Sequence, residues 1–122
     1  MSLKILLADD HRIFRKALRM LLEDVPGIDI VAEVADGRDI LDAVSQTRPD
    51  MVCMDINMPG LTGIEATRQL FASYPDVKVI GLSAHDDALQ SAEMFAAGAL
   101  EYVVKSNAGV DLLAAIRRHA TI

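Results

Sequence analysis

One cysteine, Cys53, is the whole thiol complement of this 122-residue chain. A disulfide framework within the chain is therefore excluded, and a reducing compartment is expected. No apolar run approaches the ~18 residues that a membrane span needs. The N-terminus also lacks the charged-then-apolar pattern of a secretion leader, so no membrane association and a cytoplasmic location are expected. A basic excess is missing too: 12 lysines and arginines stand against 18 acids, a formal net charge of -6. Nucleic acid is gripped by a net basic surface, so direct nucleic-acid binding by this chain is argued against. Internal repeats, low-complexity tracts and linkers are absent. With 52% hydrophobic and 25% charged residues, the chain has the balance of one compact domain with its own core, expected over 1–122.

Short apolar runs alternate with longer amphipathic ones. Strands are expected over 3–8, 28–34, 51–54, 77–83 and 101–105. Helices are expected over 11–24, 37–47, 63–74, 87–98 and 109–120. In the first helix Phe14, Ala17, Leu18, Leu21 and Leu22 recur at helical spacing, and Pro26-Gly27 ends it. In the second, Ile40, Leu41 and Val44 face inward, and Pro49 stops it. A strand–helix unit repeated in this way demands a parallel sheet, because each crossover returns the chain to the same end. Continuously apolar strands fit burial on both faces. The expected fold is α/β, a doubly wound five-stranded parallel sheet, (βα)5, in the flavodoxin-like order 2-1-3-4-5.

In such a sheet the C-terminal ends of all strands share one edge, and ligands bind where the winding reverses. The sequence places Asp9 and Asp10 after the first strand, Asp55 after the third, Ser83 after the fourth and Lys105 after the fifth. Clustered carboxylates repel, and burial raises their pKa values. A hard divalent cation offsets that repulsion, and Mg²⁺ favours a few carboxylates with waters and phosphate oxygens. The edge is thus suited to Mg²⁺ and a phosphoryl group, with Lys105 and Ser83 as partners for phosphoryl oxygens. A carboxylate can itself accept a phosphoryl group as an acyl phosphate; Asp55 is the expected acceptor, and Asp9 and Asp10 the metal ligands.

The stretches "ILLADDHRIFRKALRMLLE", "DINMPGLTGIEATRQL", "KVIGLSAHDD" and "AAGALEYVVKS" follow one another in order over nearly the whole chain. In them the chain resembles the receiver domain of two-component response regulators. It is most similar to the NarL/FixJ type, whose output is a LuxR-type helix-turn-helix domain. The resemblance implies that Asp55 is the phosphoacceptor, served by a sensor histidine kinase. It implies that Asp9, Asp10 and Asp55 bind Mg²⁺ together with the backbone carbonyl of Asn57. It assigns Ser83 as the switch hydroxyl, Lys105 as the conserved lysine and Tyr102 as the ring that turns inward on activation. Transcription regulation through an output domain that these residues do not contain, and a homodimer on phosphorylation, are further implications. One departure is visible: many receivers carry a proline after the lysine, and here Ser106 and Asn107 follow. A cis-proline turn is thereby removed, and the shape of that loop is left open.

Plainer roles stand beside these. Asp9 or Asp10 could cap the first helix. Pro59-Gly60 suits a type II turn, and Thr62 with Glu65 has the spacing of a capping box. Asp86 and Asp87 are expected to cap the fourth helix, His85 to be a loop residue, His11 an exposed first-turn residue and Cys53 a small buried hydrophobe. Arg12, Arg15, Lys16 and Arg19 form either a solvated face or a docking surface for a kinase. Two rival functions remain. A haloacid-dehalogenase-type phosphatase needs an acid two residues after its nucleophile, where this chain has Asn57. A phosphorylation-independent scaffold has no use for the full set of Asp9, Asp10, Asp55, Ser83 and Lys105.

Overall fold

The computed structural model describes residues 2–120. β1 (Leu3–Ala8) leads to α1 (Arg12–Glu23), β2 (Ile28–Val34) to α2 (Ile40–Thr47), and β3 (Met51–Asp55) to α3 (Gly63–Ser73). β4 (Lys78–Ser83) then leads to α4 (Ala88–Ala97), and β5 (Glu101–Val104) to α5 (Ala108–His119). Neighbouring strands pair in parallel in the order β2-β1-β3-β4-β5. The direction of winding reverses between β1 and β3, so the C-terminal ends of these two strands frame the switch point.

Every residue of the central strand β3 is buried. Side chains alternate across its two faces. Met51 and Cys53 join Ile5, Leu7, Ile80 and Leu82 beneath α1 and α5, against Leu18, Leu22, Leu112 and Ile116. Val52 and Met54 join Leu6, Ala8 and Val79 beneath α2, α3 and α4, against Ile40, Val44, Leu70 and Met94. Helices on both faces explain why the strands are continuously apolar. Cys53 behaves as a buried hydrophobe, its thiol pushed up to about 12 by desolvation.

The helix ends follow local chemistry. Thr62 Oγ1 accepts the Glu65 N–H at 3.2 Å and starts α3; the Glu65 carboxylate pairs with Arg68. Asp87 Oδ1 accepts the Leu89 and Gln90 N–H groups at 2.9 and 3.1 Å and starts α4. The capping expected of the Asp86–Asp87 pair thus falls to Asp87, and Asp86 is exposed. Three local features of the elements have clear causes. Residues 37–39 form a 3-10 turn, because Asp36 accepts the Arg38 N–H at 2.8 Å and winds the chain tightly ahead of α2. The end of α2 is set by Arg48 in a left-handed conformation, φ 50°, ahead of Pro49. Ala17 is exposed, because the buried stripe of α1 runs through Leu18 and Leu22. Among the described residues, no helix is long and apolar enough to cross a membrane.

Candidate functional site

Asp9 follows β1 and Asp55 ends β3, so their carboxylates meet at the switch point. Both are buried, at 0% and 2% exposure. Lys105 approaches from the far side of β4, its Nζ 2.7 Å from Asp9 Oδ2 and 3.5 Å from Asp55 Oδ2. The expected fifth strand stops at Val104, and Lys105 opens a 3-10 turn over 105–107 that runs into α5. This is the form the Lys105-Ser106-Asn107 loop takes, and every described peptide bond is trans. The Phe14 ring of α1 lies 4.7 Å beneath the ammonium, a cation–π contact that holds it over the acids.

The loop after Asp55 is fixed by backbone contacts. The Asn57 N–H donates to Asp55 Oδ1 at 3.3 Å, and the Gly63 N–H donates to the Ile56 carbonyl at 2.8 Å. A Cβ on Gly63 would stand 1.9 Å from the Asp55 carbonyl oxygen, so only glycine lets α3 begin against the end of β3. Gly60, after Pro59, has φ +77°, and the Leu61 N–H donates to the Pro59 carbonyl at 2.9 Å, so the turn closes as a γ-turn rather than with the expected type II bond.

Asp55 has one oxygen served by the Asn57 amide and one, Oδ2, buried without a hydrogen bond. Asp9 Oδ2 is also buried, and it meets Lys105 as an ion pair outside hydrogen-bonding alignment. Burial pushes the Asp55 carboxyl up to about 7, and the charge of Asp9 adds to the rise. Lys105 and the Asn57 N–H oppose it but do not cancel it. Two buried carboxylates facing one ammonium form an under-compensated anionic pocket. Asp9, Asp10, His11 and Asp55 each bring one donor atom within 4.8 Å of the others. The orphaned Asp55 oxygen and this donor set fit a divalent cation.

The remaining expected residues lie around this centre. Ser83 ends β4 fully buried, and its Oγ accepts the His85 N–H at 3.2 Å. The Tyr102 hydroxyl donates to the His85 carbonyl at 2.8 Å. The backbone of His85 thus links the Ser83 and Tyr102 hydroxyls, while the imidazole is exposed in the loop, as expected. Tyr102 is not brought into the acidic cluster. Asn57 has an exposed side chain.

Capping of α1 by Asp9 or Asp10 does not occur: the N-cap is His11, with no side-chain cap, and the His11 N–H donates instead to Asp9 Oδ1 at 2.8 Å. His11 itself is where sequence reasoning fell short. Its ring is 60% exposed, yet Nδ1 turns inward, 3.1 Å from Asp9 Oδ1, 3.4 Å from Asp10 Oδ1 and 3.7 Å from Asp55 Oδ2. Its position directly after the acidic pair was the available signal. The basic face of α1 also divides. Arg15 and Arg19 pair with Glu33 of β2 at 3.0 and 2.7 Å, and Arg15 donates to the Asp9 carbonyl. Arg12 and Lys16 are exposed.

Residues 5–117 match the family described as response regulator receiver domain. Among curated relatives, the transcriptional regulatory protein DegU of Brevibacillus brevis is 38% identical over 95% of this chain and 49% of its own length. The response regulator UvrY of Escherichia coli K12 is 39% identical over 94% of this chain and 53% of its own length. The chain thus spans about half the length of these relatives. A two-component response regulator of the LuxR family from Aurantimonas sp. SI85-9A1 superposes with a TM-score of 0.91 at 36% identity, covering 97% of this chain and 84% of that one. The receiver domain of a NarL regulator from Mycobacterium tuberculosis, at 24% identity and a TM-score of 0.91, shares the fold. An acid pair, a buried aspartate and a lysine meet at one sheet edge, and this agreement over nearly the whole chain places it in the response regulator receiver domain family of two-component signalling.

Proposed function

We propose that this receiver takes a phosphoryl group onto Asp55 from the phosphohistidine of a sensor histidine kinase. The single observation that carries the reading is the buried Asp55 oxygen without a hydrogen bond, set beside Lys105 and the acidic pair. Asp55 Oδ2 attacks phosphorus in line. The new P–O bond forms as the P–N bond breaks, and the leaving imidazole nitrogen keeps the electron pair and takes up a proton. The Asn57 amide holds Oδ1 and so orients the carboxylate for attack. Lys105 shifts from Asp9 toward the incoming phosphoryl oxygens and offsets their charge. Asp9, Asp10, Asp55 and the Asn57 carbonyl hold Mg²⁺, which when bound supplies charge compensation for the transferring group.

The aspartyl phosphate then biases a two-state equilibrium. Ser83 leaves the His85 amide for a phosphoryl oxygen, the loop holding His85 follows, and Tyr102 turns inward as its hydroxyl loses the His85 carbonyl. The α4–β5–α5 face thereby changes shape for an output domain, a LuxR-type DNA-binding one by kinship, and for a second phosphorylated copy. The domain turns over no external substrate; water hydrolyses the acyl phosphate and resets it. Arg12 and Lys16 are the basic side chains of α1 left exposed for a kinase. The reading places the protein in the cytoplasm.

Incubation with acetyl phosphate and Mg²⁺, followed by intact mass measurement, tests this. One phosphoryl group is gained by the wild type and none by Asp55→Asn or by wild type in EDTA. A folded wild type that gains nothing overturns the reading.

A further inference from the structure

His11 is the residue of the acidic cluster to which the proposed reaction gives no task. Its Nδ1 lies 3.0 Å from Lys105 Nζ, a contact in which the ammonium donates and Nδ1 accepts in the tautomer that carries its proton on Nε2. The same Nδ1 stands 3.1, 3.4 and 3.7 Å from Asp9 Oδ1, Asp10 Oδ1 and Asp55 Oδ2. The Lys105 ammonium is the cation these atoms share in this structure, 2.7 Å from Asp9 Oδ2 and 3.5 Å from Asp55 Oδ2, and a bound divalent ion would take over that charge compensation. Donor atoms bound to one ion at about 2.1 Å stand about 3.0–3.4 Å apart, so the His11 spacings to Asp9 and Asp10 are already close to coordination edges, and the full donor set, within 4.8 Å, would draw in around an ion. The Asp55 oxygen in this group is nine-tenths buried and has no hydrogen bond, which is independent of the acid clustering. The His11 N–H to Asp9 Oδ1 bond, at 2.8 Å, fixes the backbone beside Asp9 and so sets where the ring can reach.

We infer that His11 is a nitrogen ligand of the cation site, tuning it toward borderline divalent metals of the Ni²⁺ and Co²⁺ class relative to Mg²⁺. The inference rests on the cation binding proposed above and adds the donor that sets metal preference. Carboxylates and carbonyls serve hard ions such as Mg²⁺, whereas imidazole nitrogen gains affinity along the first-row series. An oxygen-only site follows the same series with a weaker preference. Imidazole ligates metals in its neutral form, so the titrations are run at pH 8.

The test compares wild type, His11→Ala and His11→Asn by calorimetric titration with Mg²⁺ and with Ni²⁺, counting only the Ni²⁺ that excess Mg²⁺ displaces, so that His85 and His119 do not contribute. The expected result is an affinity for Ni²⁺ about tenfold weaker in both variants, with Mg²⁺ affinity changed less than twofold. In parallel, Mn²⁺ bound to the wild type shows ¹⁴N coupling in its electron spin-echo spectrum, and the coupling vanishes in His11→Ala. Equal Ni²⁺-to-Mg²⁺ preference in all three proteins, or Mn²⁺ bound without ¹⁴N coupling, overturns the inference and leaves the phosphoacceptor reading untouched. A wild type that binds none of the three metals overturns both the inference and the metal part of that reading. Asn keeps a good N-cap residue, so loss of Ni²⁺ preference in His11→Asn is not an effect of a weakened helix start.

Discussion

Asp50 and Asp55 stand at the two ends of one strand and have opposite fates. Asp50 is exposed, and its Oδ2 accepts the Lys4 N–H at 2.9 Å. Its backbone N–H donates to Lys4 and its carbonyl accepts from Lys78, at 2.8 and 3.0 Å, so it ties β1, β3 and β4 together. Asp55 is buried with one oxygen unpartnered and its carboxyl pushed up to about 7. The same side chain is a satisfied staple at one end of β3 and an under-compensated charge at the other. Stability explains the first placement and not the second, a contrast that supports the phosphoacceptor role proposed for Asp55.

The largest test of the contrast is the pH dependence of metal-free stability. A carboxyl raised from 3.8 to about 7 binds a proton more readily folded than unfolded. Its burial therefore costs nothing below pH ~4, destabilises increasingly as pH rises through the window between these values, and costs most above pH ~7. Asp55→Asn is expected to be more stable than wild type at pH 8, by on the order of 2–4 kcal/mol in urea unfolding, with the gain fading toward pH 4. Mg²⁺ narrows the difference by stabilising only the wild type. A gain that is the same at pH 8 and pH 4 would break the account.

The second test moves to the backbone behind Asp55. Gly63→Ala forces a methyl group against the Asp55 carbonyl, and a loss of about 2–3 kcal/mol in the urea midpoint is expected. Asp87 serves as a third aspartate with a capping role only. Asp87→Ala is expected to lose about 1 kcal/mol without changing phosphoryl uptake in the intact-mass assay. Smallest is Asp50→Asn, which keeps an acceptor oxygen for Lys4. A change within about 0.5 kcal/mol in the same unfolding experiment is expected.

Much of this was legible in the sequence because a parallel sheet makes strand ends converge. Once the alternation of short apolar and longer amphipathic runs fixed the parallel fold, Asp9, Asp10, Asp55, Ser83 and Lys105 had to share one edge. The residues that escaped are those whose role depends on local backbone direction. His11 reads as an exposed helix-start residue and is one, yet its N-cap conformation, φ -81° and ψ 97°, is extended where its neighbours are helical, and the ring faces the acids. Arg15 looked like part of a charged face, and only the placement of Glu33 on β2 shows that it braces Asp9. Ala17 was lost because alanine carries too little apolar surface to fix its side of a helix.

The His85 backbone makes one hydrogen bond to the Ser83 hydroxyl and one to the Tyr102 hydroxyl. At about 1 kcal/mol each, the two form a catch of about 2 kcal/mol. On these bonds alone the released arrangement is held to about 3% of molecules. A catch of that size is easily overcome by a phosphoryl group that recruits one of the two hydroxyls. In the switch proposed above it would also set a floor to the quiet state, roughly one molecule in thirty released with no phosphoryl group present. The dynamic range of the proposed switch would thus depend on two main-chain atoms of a loop residue.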